Sequence, residues 1–190
     1  MMILKRVLFL IAILFTLQSM GQENEPATSF WNTLKSHCGK AYAGVLEIPE
    51  EDEAFGGKKL VMHVRSCSEN EIKIPFYVGD DKSRTWILSR NEGIISLKHD
   101  HRHEDGTMDA VNFYGGTASN QGKANIQFFP ADVHTQTLIP DAATNVWWIT
   151  IDEKTFTYNL RRLGTDRVFK VVMNLTEAIE TPKAPWGWED

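Results

Sequence analysis

From Tyr42 to Leu175 the chain is interrupted at roughly 8–12-residue intervals by Gly, Pro, Asp or Asn, a spacing typical of short antiparallel strands. Between the interruptions stand runs rich in β-branched and aromatic residues, several of them alternating. In Lys59–Cys67, Leu60, Met62 and Val64 fall on one face and Val61, His63 and Arg65 on the other. A period of two lines one face of a strand, whereas a helix needs 3.6. The same reading predicts strands over Tyr42–Pro49, Glu71–Val78, Ser83–Arg90, Ile94–His103, Thr107–Tyr114, Ala124–Phe129, Asn145–Ile151, Thr155–Arg162 and Arg167–Leu175. Ten short strands with so little helix between them predict an all-β protein. Closure removes the edges that an open sheet of that width would expose, so the expected fold is a single antiparallel up-and-down β-barrel.

Helical spacing appears twice. Phe30, Trp31, Leu34 and Cys38 fit a short N-terminal helix capped by Thr28 or Ser29 and stopped by Gly39. Asp132 can cap a short segment, Val133–Ile139, that Pro140 ends. The expected organisation is a signal peptide at 1–21, a polar leader at 22–28, the barrel at 29–180 and a Pro/Trp tail at 181–190. Trp186 and Trp188 are costly to leave in water, so the tail should lie across the barrel.

In the signal segment Lys5 and Arg6 precede the apolar run Val7–Leu17, and Ser19-Met20-Gly21 is a small-x-small cleavage site. The run is too short to span a bilayer, so no transmembrane anchor is expected once it is removed, and the mature chain should be secreted or periplasmic. Removal of those two basic residues leaves 18 Lys and Arg against 25 Asp and Glu, a formal charge of −7. An acidic chain without a basic run has no electrostatic footprint for nucleic acid. Cys38 and Cys67 are the only cysteines. In an exported protein such a pair is expected to be a disulfide, and the lack of C-x-x-C argues against thioredoxin-like chemistry.

The chemistry-bearing stretch is Leu97–Gly106, where His99, His101 and His103 account for three of the six histidines. On a strand they share one face. Asp105-Gly106 is a two-residue hairpin signal, which would set His103 opposite Met108, Arg102 opposite Asp109, His101 opposite Ala110, His99 opposite Asn112 and Leu97 opposite Tyr114; a bulged or longer turn would shift that register. The histidine face is then the more apolar one and looks inward. Two readings of it stay open. Imidazoles two residues apart lie about 6.5–7 Å apart along a strand, which two Zn–N bonds of ~2 Å can span. His99, His101 and His103 are therefore candidate ligands for a divalent transition metal such as zinc, with His63 or Glu104 as a further donor. Alternatively, the histidines form a polar network with Asp100, Asp105 and Asn112.

Arg84 and Trp86 lie on one face of the Ser83–Arg90 strand, where a guanidinium beside an indole can hold a carboxylate or close the barrel by pairing with Asp80 or Asp81. Aromatics crowd the later strands: Phe128, Phe129, Trp147, Trp148, Phe156, Tyr158 and Phe169. Half should point inward, either lining a pocket or filling the barrel. G-x-S-x-G, H-E-x-x-H, phosphate-loop and dinucleotide motifs are absent. An acid–base enzyme would have to use His101 or His103 with Glu104 or Asp105.

The run Lys98–Gly106, with Ser83–Trp86, Tyr114-Gly115-Gly116, Phe129–Asp132, Thr144–Trp147 and Pro185-Trp186-Gly187, resembles a family of exported bacterial proteins of uncharacterised function. More loosely, a lead-in helix before a ten-strand meander is similar to the calycin barrels, the lipocalins and fatty-acid-binding proteins, although their Gly-x-Trp is replaced here by Gly39–Gly44. The expected function is binding of a small molecule in or at the mouth of the barrel by His99, His101, His103, Asn112, Tyr114, Arg84 and Trp86. A metal-dependent or His/Glu acid–base enzyme using the same face, and a structural envelope protein without a ligand, are the alternatives.

Overall fold

A helix plugs one end of a barrel whose other end opens as a mouth. The structure, a computed structural model, describes residues 25–49 and 51–189; the signal segment lies outside them. In chain order the elements are α1 (Pro26–Lys35), β1 (Ala41–Ile48), β2 (Leu60–His63), β3 (Ser66–Cys67), β4 (Glu71–Val78), β5 (Asp81–Asn91), β6 (Ile94–His101), β7 (Tyr114–Thr117) and β8 (Ile126–Pro130). They continue with α2 (Val133–Leu138), a 3-10 turn (Pro140–Ala142), β9 (Asn145–Ile151), β10 (Thr155–Arg162) and β11 (Val168–Asn174). The strands pair in the order β7-β6-β5-β4-β2-β1-β11-β10-β9-β8, with β3 beside β4. Every pairing is antiparallel, so the sheet is an up-and-down meander of ten strands.

The two end strands, β7 and β8, meet at a seam. Gly116 bridges Ala131, and the Asp132 N–H donates to the Gly115 carbonyl at 3.1 Å. The Thr135 hydroxyl accepts from the Gly115 N–H and donates to the Gly115 carbonyl, both at 2.7 Å. Asp132 caps α2 through the Thr135 N–H at 3.0 Å and pairs with Lys98 of β6. At the plugged end, Ala27, Phe30, Trp31 and Leu34 of α1 join the same core as the inward strand residues. The helix starts earlier than its Ser and Thr residues suggest, because Pro26 at its first turn presets the helical φ, and no side chain caps it.

The alternation of β9 is plain in its burial: Asn145, Trp147, Ile149 and Ile151 are buried and the residues between them are half-exposed. On the outer face a smaller cluster forms from Ala41, Val61 and Tyr77 with Ile179. The tail continues from it. Tyr77 donates to the Lys183 carbonyl at 2.9 Å, Arg65 to the Glu189 carbonyl at 2.5 Å, and the Trp186 N–H to the Lys82 carbonyl at 3.2 Å. Among the described residues no helix is long and apolar enough to cross a membrane.

Cys38 and Cys67 form a disulfide with a Cα separation of 6.2 Å, tying the segment after α1 to β3. For a sequence separation of 29, chain entropy gives a contribution of about 3.6 kcal/mol. Replacing both cysteines by Ser is expected to lower the unfolding free energy by that amount in urea denaturation; an unchanged midpoint would contradict it.

The expected strand Thr107–Tyr114 is not formed; residues 102–113 are a loop, and the strand begins only at Tyr114. Gly106, at φ +84°, closes a wider turn than the two-residue type. The His103 carbonyl accepts from the Gly106 N–H and the His103 N–H donates to the Thr107 carbonyl, both at 2.9 Å. Arg102 therefore stands opposite Met108, not Asp109. Beyond it residues 109–113 bulge out opposite Asp100 and His101, so that His99 pairs with Tyr114 and Leu97 with Gly116.

Candidate functional site

The mouth holds an open cavity of about 300 Å³. Its floor comes from inward positions of five strands: Phe76, Trp86, Trp147, Tyr158, Leu160 and Phe169. Trp86 stacks on Phe76 at 4.7 Å and on Tyr158 at 4.4 Å between ring centroids. Phe55, from the loop between β1 and β2, packs edge-on to Phe169 at 4.9 Å and under the Arg84 guanidinium at 5.3 Å. Most of these rings are buried, yet they leave an open apolar cavity among them, so the aromatics both fill the barrel and line its mouth.

His99 and His101 form one wall. The His99 ring, 4% exposed, donates from Nδ1 to the Tyr114 carbonyl at 2.9 Å. A carbonyl only accepts, so Nε2 is the acceptor of a hydrogen bond that the Tyr158 hydroxyl donates at 2.7 Å. Burial holds the His99 pKa down at about 3 and raises the Tyr158 hydroxyl well above its ordinary value. The His101 Nε2 meets the Tyr114 hydroxyl at 3.0 Å. Burial, with the Arg84 charge, lowers the His101 pKa, and burial pushes the Tyr114 hydroxyl up to about 12. At neutral pH this wall is therefore uncharged and hydrogen-bonded.

The rim carries the charge. Arg84 pairs with Asp81, the Arg162 Nε donates to the Asn145 side-chain oxygen at 2.9 Å, and Arg167 and Asp109 complete the lining.

Of the residues singled out from sequence, His99, His101, Tyr114, Arg84 and Trp86 line this cavity. His103 does not; β6 ends at His101, and His103 is exposed in the turn. Asn112 is buried behind the wall, accepting from the His101 N–H at 2.8 Å and donating to Asp100 at 3.2 Å. Asp100 is gripped by the Arg102 Nε at 3.1 Å to each oxygen, in place of the expected Arg102–Asp109 pair.

The metal-ligand set His99, His101 and His103 with His63 is not assembled. Both His99 nitrogens are engaged, His103 lies outside the strand, and His63 shares the outer face of β2 with Val61. Among the described residues no group of three or more His, Cys, Asp or Glu is placed to hold a metal ion. The His/Glu acid–base pair is not assembled either: Glu104 is exposed, and Asp105 turns back to accept from the Thr107 N–H and hydroxyl at 2.9 and 2.6 Å.

Arg162, Arg167, Asn145 and Asp109 were not legible as site residues. The one available signal was register: a short hairpin turn after Arg162 puts Arg167 opposite it, on the face of Leu160. Fold and cavity together define a ten-strand antiparallel barrel with an aromatic-lined, cation-rimmed mouth. Comparison with family models, with curated proteins and with solved structures finds no match.

Proposed function

We propose that the protein is an exported carrier or receptor that holds a small organic molecule in the barrel mouth, with His99, His101 and Tyr114 as its polar wall and Trp86 and Tyr158 as its apolar floor. The open cavity of about 300 Å³ carries this reading, because it combines an aromatic lining with a few convergent polar groups. Neutral imidazoles already bonded to tyrosines suit contact and orientation of a ligand better than proton transfer. The charged-then-apolar leader at 1–21 and the Cys38–Cys67 bridge support export.

N-phenyl-1-naphthylamine, a neutral dye that brightens in apolar surroundings, tests this. Saturable one-site binding is expected, and Leu160→Trp, which grows into the cavity, should abolish it while far-UV circular dichroism stays unchanged. Absence of saturable binding by the folded wild type, or equal binding by folded Leu160→Trp, overturns the proposal.

A further inference from the structure

We propose that Arg162 and Arg167 form an anion clamp at the mouth, so that the bound molecule is a compact apolar anion, a carboxylate or sulfonate on an aromatic body. This rests on the reading of the mouth as a ligand site.

The pairing of β10 with β11 sets Leu160 opposite Phe169 and Arg161 opposite Val168. One step further, the Arg162 N–H donates to the Arg167 carbonyl at 3.0 Å, which makes these two arginines the next directly opposed pair. Directly opposed residues project from the same face of a sheet, and two steps along a strand return to that face. Leu160 and Phe169 line the cavity, and Arg162 and Arg167 line it with them.

Like charges directly opposite one another are destabilising unless something lies between them. Among the described residues no carboxylate pairs with either arginine: Asp109 lines the same cavity but forms no ion pair with Arg162 or Arg167. The ion pairs among the described residues join Lys73 to Glu71, Arg84 to Asp81, Lys98 to Asp132, Arg102 to Asp100 and Lys170 to Glu47, and none includes Arg162 or Arg167. The contrast with Arg84, the third arginine of the rim, is direct: its charge is already answered by Asp81.

The Arg162 Nε donates to Asn145, and among the described residues its terminal nitrogens make no hydrogen bond or ion pair. Two guanidinium groups over an apolar floor offer the fork geometry that carboxylates and sulfonates accept. The wall beneath them is neutral and the rim carries three arginines against Asp81 and Asp109, so a ligand anion would balance the remaining positive charge.

Two dyes sharing one ring skeleton separate the clamp from the pocket: N-phenyl-1-naphthylamine and its sulfonated form, 8-anilinonaphthalene-1-sulfonate, each titrated by calorimetry at low salt. A charge-assisted pair at a partly desolvated site is expected to favour the sulfonate by about tenfold or more. Arg167→Met, whose side chain makes no hydrogen bond or ion pair to another described residue, and Arg162→Lys, which keeps the charge but not the fork, should each shrink that preference, read as the ratio of the two dyes' affinities in the same variant. Arg161→Met, one residue away on the exposed outer face, should leave the preference intact. If the neutral dye binds but the sulfonate has no advantage, or the advantage survives Arg167→Met, the clamp is overturned and the pocket stands. If neither dye binds the folded protein, the pocket reading fails and the clamp with it.

Discussion

Gly116→Val is expected to cost at least ~4 kcal/mol, the upper tail for a single substitution, and so to leave the domain barely folded. A Cβ at this position would lie 1.9 Å from the Pro130 carbonyl oxygen, 2.6 Å from its carbon and 2.9 Å from the Phe129 oxygen. All three atoms are backbone, so no side chain can swing aside, and the seam between β7 and β8 has to open. With it go the Gly116–Ala131 bridge, the Asp132 to Gly115 bond and the two Thr135 bonds to Gly115. The barrel would then present two unpaired edges where it now has a near-continuous wall. Thr117→Val, exposed on the adjacent position, is expected to change stability by less than ~0.5 kcal/mol. Urea denaturation of both variants decides the matter: a Gly116→Val loss below ~1 kcal/mol would mean that the close approach is not what shuts the barrel.

That seam also marks where the sequence stops being readable. Strands β4, β9 and β10 follow from alternation and local turn residues, because both signals lie within the strand itself. Met108, Ala110 and Asn112 lead into Tyr114 with the same alternation, yet they lie in a loop and the strand begins only at Tyr114. What decides their fate is distant: Gly115 and Gly116 must meet Leu97 on one side and Pro130 on the other, and that pins the strand to 114–117. Between the Arg102–Met108 bridge and the His99–Tyr114 pair, residues 109–113 bulge outward to absorb the difference in length.

The candidate site divides along the same line. Period two correctly put His99 and His101 on one inward face, and Arg84 with Trp86 on another. It carried His103 too far, since the strand had already ended. Arg162 and Arg167 flank a hairpin turn, where arginines ordinarily reach into water; only the pairing of β10 with β11 turns them toward the cavity. Phe55 sits in an acidic loop whose composition gives no hint that it folds back over the mouth.

Acid is expected to destabilise the protein well before its carboxylates titrate. Folded His99 has a pKa of about 3, against an ordinary value of 6.5. Between those two values the unfolded chain holds a proton that the folded chain refuses, so stability is complete above pH 6.5 and falls as the pH drops toward 3. The slope approaches ~1.4 kcal/mol per pH unit for one such group, which bounds the His99 contribution at roughly 5 kcal/mol over the whole window. His37, His63 and His101, all lowered chiefly by burial, act in the same direction. Asp81 and Asp132, lowered by bonds from Ser83 and Arg84 and from Lys98 and Thr135 against the opposing cost of burial, lose their contribution only below the ordinary carboxylate value of 3.8. Urea midpoints measured from pH 7 to pH 4.5 therefore isolate the histidines. The wild type should lose on the order of 2 kcal/mol or more across that range. His99→Gln, whose amide can donate to the Tyr114 carbonyl and accept from Tyr158, should start less stable at pH 7 and fall less steeply. A flat wild-type profile, or an equal slope in His99→Gln, would mean that His99 takes up its proton inside the folded barrel and that the uncharged wall of the cavity does not persist in acid.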